Sequence, residues 1–109
     1  MKLQQKLKRL RDALTGLTVS VFHYRRPKMT APYVVWQESG EGDSFHAGNI
    51  KTEQVISGTL DYFTRTEYDK VVDQIQDILE KTCSGWRLLS VQYEEDRELI
   101  HFEWEWEMC

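Results

Sequence analysis

The chain predicts an α+β fold, an antiparallel or mixed β-sheet with two helices packed on it in the order α-β-β-β-α-β-β. Three observations carry this. Two stretches, residues 2–14 and 68–79, place apolar residues at helical spacing. Between and after them the chain is rich in β-branched and aromatic residues bounded by glycine and proline. The end of the chain, Leu99-Ile-His-Phe-Glu-Trp-Glu-Trp-Glu-Met108, alternates apolar and polar almost without a break. Successive strand side chains point to opposite faces, so this is a half-buried strand. Its apolar face is Ile100, Phe102, Trp104, Trp106 and Met108, and its polar face is His101, Glu103, Glu105 and Glu107. Helices grouped with hairpin strands in this way form layers around one core.

In order, Leu3, Leu7, Leu10 and Leu14 make one apolar stripe on a basic first helix, and Gly16 ends it. Residues 18–24 read as a strand, residues 25–32 with their two prolines as a loop, and residues 33–37 as a second strand. Residues 39–49 carry glycines and Asp/Asn and read as an irregular connection, ordering against a neighbour with Phe45 as apolar anchor. Residues 50–63 read as one long strand, or as two with a bulge near Gly58. Thr64 with Glu67, or Thr66 with Asp69, offers a helix cap. Tyr68, Val71, Val72, Ile75, Ile78 and Leu79 follow at helical spacing, and Gly85 is expected to close that helix. A hairpin of residues 86–93 and 98–108 turns at Glu94, Glu95, Asp96 and Arg97. The expected core sets Ile100, Phe102, Trp104 and Trp106 against Val71, Val72, Ile75 and Leu79.

The 109 residues read as a single domain, 1–109, of ordinary apolar and charged content. No apolar run nears the roughly 20 residues needed to cross a bilayer, and the start lacks a signal-peptide pattern, so no membrane association is expected. Two distant cysteines suggest neither a disulfide framework nor a zinc site, which fits a reducing, cytosolic origin. The net charge of −4 hides a polarity. Residues 1–30 hold eight bases and one acid, a net +7, and the remainder hold six bases and seventeen acids, a net −11. Such asymmetry suits a nucleic-acid-binding arm, a subunit whose flank meets the opposite flank of a neighbour, or neutralisation within one monomer.

The residues nominate no active site, cofactor or metal, and an enzyme is not expected. Gly40-Glu-Gly-Asp-Ser-Phe45 lacks the third glycine and following helix of a phosphate-binding loop. His23, His46 and His101 sit on separate elements with no metal-ligand spacing, and each reads as a satisfied or exposed histidine. Serines, cysteines and histidines are too scattered to pair a nucleophile with a base. The basic helix carries Lys6, Lys8, Arg9 and Arg11 but no groove-reading motif. Trp36, Trp104 and Trp106 read as core, and the glutamates between the last two repel an anionic ligand.

Several segments in order resemble the tail-terminator (tail-completion) proteins of long-tailed bacteriophages and prophages. They are Ala31-Pro-Tyr-Val-Val-Trp36, Gly42-Asp-Ser-Phe-His-Ala-Gly-Asn49, Gly58-Thr-Leu-Asp-Tyr-Phe-Thr64, Glu67-Tyr-Asp69 and His101-Phe-Glu-Trp-Glu-Trp106. The resemblance implies a structural, non-enzymatic virion assembly protein, located in the virion tail and assembled in the host bacterial cytoplasm. Such a subunit forms a homo-hexameric ring, by itself or only on the tail template, that caps the tail-tube protein and meets the head connector or neck protein. DNA passes through the lumen without sequence-specific binding. The alternatives are another head–tail connector or neck protein, or a small nucleic-acid-binding regulator. For a ring, the expected contact residues are Arg25, Arg26, Lys28, Asp43, Phe45, Glu94, Glu95 and Asp96, with Lys6 and Arg9 as further basic candidates. Glu103, Glu105 and Glu107 are expected to line either that contact or the lumen.

Overall fold

A computed structural model describes residues 1–42 and 54–109. The elements are α1 (Leu3–Leu14), β1 (Ser20–His23), β2 (Tyr33–Glu41), β3 (Ile56–Thr64), α2 (Lys70–Thr82), β4 (Gly85–Glu94) and β5 (Leu99–Met108). This is the expected α+β order, and the five strands form one mixed sheet in the spatial order β1-β2-β3-β5-β4. β1 runs parallel to β2, and every other neighbouring pair is antiparallel.

Both helices pack on one face of the sheet. Leu7, Leu10 and Leu14 of α1 and Val71, Ile75 and Leu79 of α2 close over Val34, Trp36, Leu60, Tyr62, Trp104 and Trp106. The expected pairing of β5 with α2 is therefore found at Trp104 and Trp106, both fully buried. Ile100 and Phe102, also expected in this core, are only half-buried, because they stand towards the end of β5 near the hairpin turn. Trp104 donates its indole N–H to Gln76 Oε1 at 3.2 Å, whereas the buried Trp106 N–H has no partner among the described residues. A second, smaller cluster lies on the other face, where Tyr33, Phe63 and Leu99 are buried with Phe22, Ala31 and Val35 against them.

Three local expectations are corrected. Asp69 is itself the N-cap of α2: its Oδ1 accepts from Val71 N at 2.9 Å, so neither Thr64 nor Thr66 caps the helix. Its Oδ2 accepts from the Tyr62 and Thr64 hydroxyls at 2.6 and 2.7 Å, which ties the helix start to β3. Gly85 does not close α2, which ends at Cys83 in an extended conformation, and instead opens β4. β2 continues through Glu41, beyond the expected end at residue 37, because β3 provides a pairing partner up to Ile56. The irregularity expected near Gly58 is present beside it, on the partner strand: Glu38 pairs with Gly58 and Gly40 with Ser57, so the extra residue belongs to β2. A second irregularity falls between Leu88 and Ser90 in β4.

Gly58 has a further reason to be glycine. The Trp106 ring lies on its Cα: an added Cβ would stand 2.2 Å from Trp106 Cζ2 and 2.3 Å from the Gln37 carbonyl oxygen. Only a residue without a side chain admits the indole at that position.

Candidate subunit interface

The sheet order sets the two charged ends of the sequence on opposite flanks. α1 leads into β1, one edge of the sheet, and β4 forms the other edge beside β5. Lys2, Lys8, Arg9 and Arg11 are exposed on α1, and Arg25, Arg26 and Lys28 are exposed on the loop that follows β1. On the other flank α2 exposes Asp73, Asp77 and Glu80 together with Lys70 and Lys81, and the β4–β5 turn exposes Glu95, Asp96 and Glu98 together with Arg97, a modest acidic excess. Complementary patches of this kind steer association and fix orientation more than they add affinity.

The basic loop is shaped by the end of β1. Tyr24 leaves the strand with φ 71°, a left-handed conformation uncommon for a side-chain-bearing residue. Three contacts hold it there. Its N–H donates to the Trp36 carbonyl at 2.9 Å, its ring stacks on His23, and its hydroxyl donates to Glu38 Oε2. His23 in turn stacks on Trp36 and shares a 2.8 Å hydrogen bond with Glu38 Oε1. Burial pushes the Glu38 carboxyl up, but the bonds from Tyr24, its own backbone and His23 outweigh that and hold it below the usual range. From Tyr24 the chain returns to Tyr33, which pairs with Ser20 at the start of β1. The basic loop and the acidic hairpin turn thus reach the same end of the molecule. They flank an open cleft of about 360 Å³ lined by residues that include Met29, Arg65, Glu95, Asp96 and Arg97.

The expected contact residues divide accordingly. Arg25 and Lys28 are exposed. Arg26 also stacks its guanidinium 4.7 Å from the centroid of the Phe63 ring, so it serves the fold as well. Glu95 and Asp96 are exposed, whereas Glu94, expected to be exposed by its position, ends β4 half-buried. Its carboxylate meets Arg97 at 3.4 Å and stands 3.9 Å from His101. Lys6 is withdrawn altogether: it is buried, with its Nζ donating to the Gln54 carbonyl at 2.5 Å. Arg9 is exposed and also donates to the Lys81 carbonyl at 3.4 Å. Asp43 and Phe45, like His46 and the rest of the expected irregular connection from residue 43 to 49, lie outside the described residues, whereas residues 39–41 continue β2.

The sheet face turned away from the helices is acidic. Glu103, Glu105 and Glu107 of β5 alternate along it, with Asp61 of β3 opposite Glu103. Arg87 of β4 reaches Glu105 at 3.5 Å, and Ser90 reaches Glu103 at 3.5 Å. His101 shares a 2.7 Å hydrogen bond with Asp61 and stacks on Phe63, the satisfied histidine the sequence suggests. Among the described residues no three His, Cys, Asp or Glu side chains are grouped to hold a metal, and no helix is long and apolar enough to cross a membrane. Burial pushes the half-buried Cys83 thiol up to about 11, so it stays protonated at neutral pH.

One surface was not visible in the sequence. β4 is an edge strand, and its Leu88, Leu89, Val91 and Tyr93 are 43%, 40%, 51% and 60% exposed. The adjacent leucines break the alternation of the strand, which is the one local sign of its bulge. Compared with known proteins, the chain matches no family model and no curated sequence.

Proposed function

We propose that this chain is a ring-forming virion assembly protein, a tail terminator of a long-tailed phage or prophage, that acts without catalysis. The observation that carries the reading is that the two edges of the sheet differ, the basic helix α1 leading into β1 at one and the apolar strand β4 with its acidic turn at the other. A closed ring requires a heterologous contact in which each subunit presents two different, complementary patches. The ordered segments that resemble tail-terminator proteins supply the class of ring, a cap on the tail tube that also meets the head connector.

In this reading the acidic face of Asp61, Glu103, Glu105 and Glu107 is turned to the lumen. Carboxylates there repel the phosphates of passing DNA, so the genome transits without adhering. The basic return loop, with Arg25 and Lys28 at its surface, meets Glu95 and Asp96 of the adjacent subunit.

The test is removal of the gene from a producing phage or prophage, followed by electron microscopy of the particles. Tails of uncontrolled length beside unjoined, full heads are expected, with normal length restored by the wild-type gene. Tails of normal length joined to heads would overturn the proposal. Normal-length tails that fail to join would instead favour a neck protein acting after tail completion.

A further inference from the structure

We propose that the outer edge of β4 pairs antiparallel with the outer edge of β1 in a second copy of the chain, so that the sheet runs on from subunit to subunit. This rests on the ring reading above and names the contact that closes it.

The first argument is the edge itself. A ten-residue edge strand offers a row of unpaired backbone groups, and soluble proteins usually blunt such an edge with charge, proline or a cover. Within β4 the charged residues are Arg87 and, at its end, Glu94, and there is no proline. Leu88, Val91 and Tyr93 all point to the helix side and remain 43–60% exposed. Apolar side chains beside open backbone are what strand addition covers.

The second argument is direction. β1 is parallel to β2, and three antiparallel steps then separate β2 from β4, so β1 and β4 run opposite ways at the two edges. A copy turned about an axis along the strands therefore presents β1 antiparallel to β4, the slightly more stable pairing, without inverting either face. Register agrees. Val21, Val34, Tyr62, Phe102 and Val91 form one row across the sheet, all on the helix side. Carrying that row straight on sets Val91 opposite Val21 of the next copy, with the apolar faces matched.

Closure decides between partners. Pairing β4 with β4 of another copy stops at two subunits and leaves both β1 edges open, whereas pairing β4 with β1 repeats from copy to copy. In the second arrangement the acidic turn after Glu94 lies level with the residues that leave the neighbour's basic helix α1, so unlike charges meet there.

The experiment is disulfide trapping in the full chain with Cys83→Ser and Cys109→Ser. Val21→Cys combined with Val91→Cys is expected to give a ladder of linked species ending at the closed ring on non-reducing gels, with either single substitution giving none. A linked dimer from Val91→Cys alone overturns the proposal in favour of β4–β4 pairing. An oligomer that persists by sedimentation while the double variant stays unlinked overturns the sheet continuation and leaves the ring standing. A chain that is monomeric at every concentration and never links overturns both. As a second measurement, Leu88→Lys with Val91→Lys is expected to keep the parent's melting temperature and lose the oligomer. Unchanged oligomer size in that soluble, folded variant also overturns the proposal.

Discussion

Replacing Gly58 by alanine tests the closest packing in the molecule. The new Cβ would lie 2.2 Å from Trp106 Cζ2, 2.6 Å from Trp106 Cε2 and 2.3 Å from the Gln37 carbonyl oxygen. Ordinary carbon contacts are about 3.5–4.0 Å, so the ring or the strand must move by more than about 1 Å. Neither moves freely, since Trp106 is fully buried and Gln37 is held in the β2–β3 ladder. Overpacking of a tight core costs about 1–3 kcal/mol, and obstruction on two sides sets this case near the top. Alanine returns about 0.5–1 kcal/mol through the lower entropy of its unfolded chain. The net loss is about 2 kcal/mol, which for a domain of this size lowers the melting temperature by roughly 10 °C. Thermal unfolding followed by circular dichroism measures it. Repeating the substitution in a Trp106→Leu background, where the obstructing ring carbons are gone, should cost at least about 1 kcal/mol less. A Gly58→Ala protein that melts within a degree of the parent would refute the reasoning.

Trp104→Ala removes a fully buried indole and should cost about 3–5 kcal/mol in urea unfolding; a loss under about 1 kcal/mol would show that this face is not core. Asp69→Ala takes away a helix cap and the acceptor for the Tyr62 and Thr64 hydroxyls, for about 2–3 kcal/mol together. Burial pushes the Asp69 carboxyl up, but the bonds from Tyr62, Thr64 and Val71 and the charge of Lys70 outweigh it and lower its pKa. A lowered folded pKa gives stability that is present above the unfolded value and is lost as pH falls through the folded one. The advantage of wild type over Asp69→Asn should therefore shrink in acid, and an advantage that grows there would reverse the sign of the argument. Arg25→Glu with Lys28→Glu should leave the melting temperature within about 2 °C and weaken self-association measured by sedimentation. Arg26→Glu should also lose about 0.5–1 kcal/mol of stability with its contact to Phe63. Unchanged association of the Arg25/Lys28 pair variant would remove the charge contribution.

The element order was legible because it rests on local chemistry. The leucines of α1, the apolar spacing of α2 and the alternation of β5 each write their period directly into the sequence. Local chemistry was also what misled at the boundaries. Thr66 and Asp69 have the spacing of a capping box, yet Asp69 caps the helix because Tyr62 and Thr64 of β3 hold its carboxylate there. Gly58 looked like a bulge because glycine in a strand marks either a bulge or a close approach. Both hold here: the register shifts beside Gly58, and the ring of Trp106, 48 residues away, lies on it, a contact no local pattern shows. Strand order was equally hidden, and with it the exposure of Leu88, Val91 and Tyr93: the β4–β5 hairpin is local, but which of its strands ends at the sheet edge depends on β3 pairing with β5. Lys6 reads as one base among several, and only the fold reveals that its ammonium is spent on the Gln54 carbonyl.

Charge alone does not close the ring proposed here. Each exposed ion pair contributes about 0.2–1 kcal/mol, and the two flanks offer a handful of them, screened beyond roughly 10 Å at 0.1 M salt. Association meanwhile costs an estimated 4–15 kcal/mol in lost translational and rotational freedom. An apolar strand edge supplies what the rim lacks, through buried side chains and paired backbone, but at β1 it is only four residues long. The two together make a contact that is directional and modest. A subunit with such a contact stays soluble when dilute, and neighbours held side by side on a common template meet at an effective concentration in the millimolar range. The opposed charges then set which edge faces which, and the strands close the contact. A stronger edge would join subunits even when dilute, as long apolar edges do in aggregation. Weakness of the individual contact thus makes closure depend on subunit concentration, whether raised in solution or on a template.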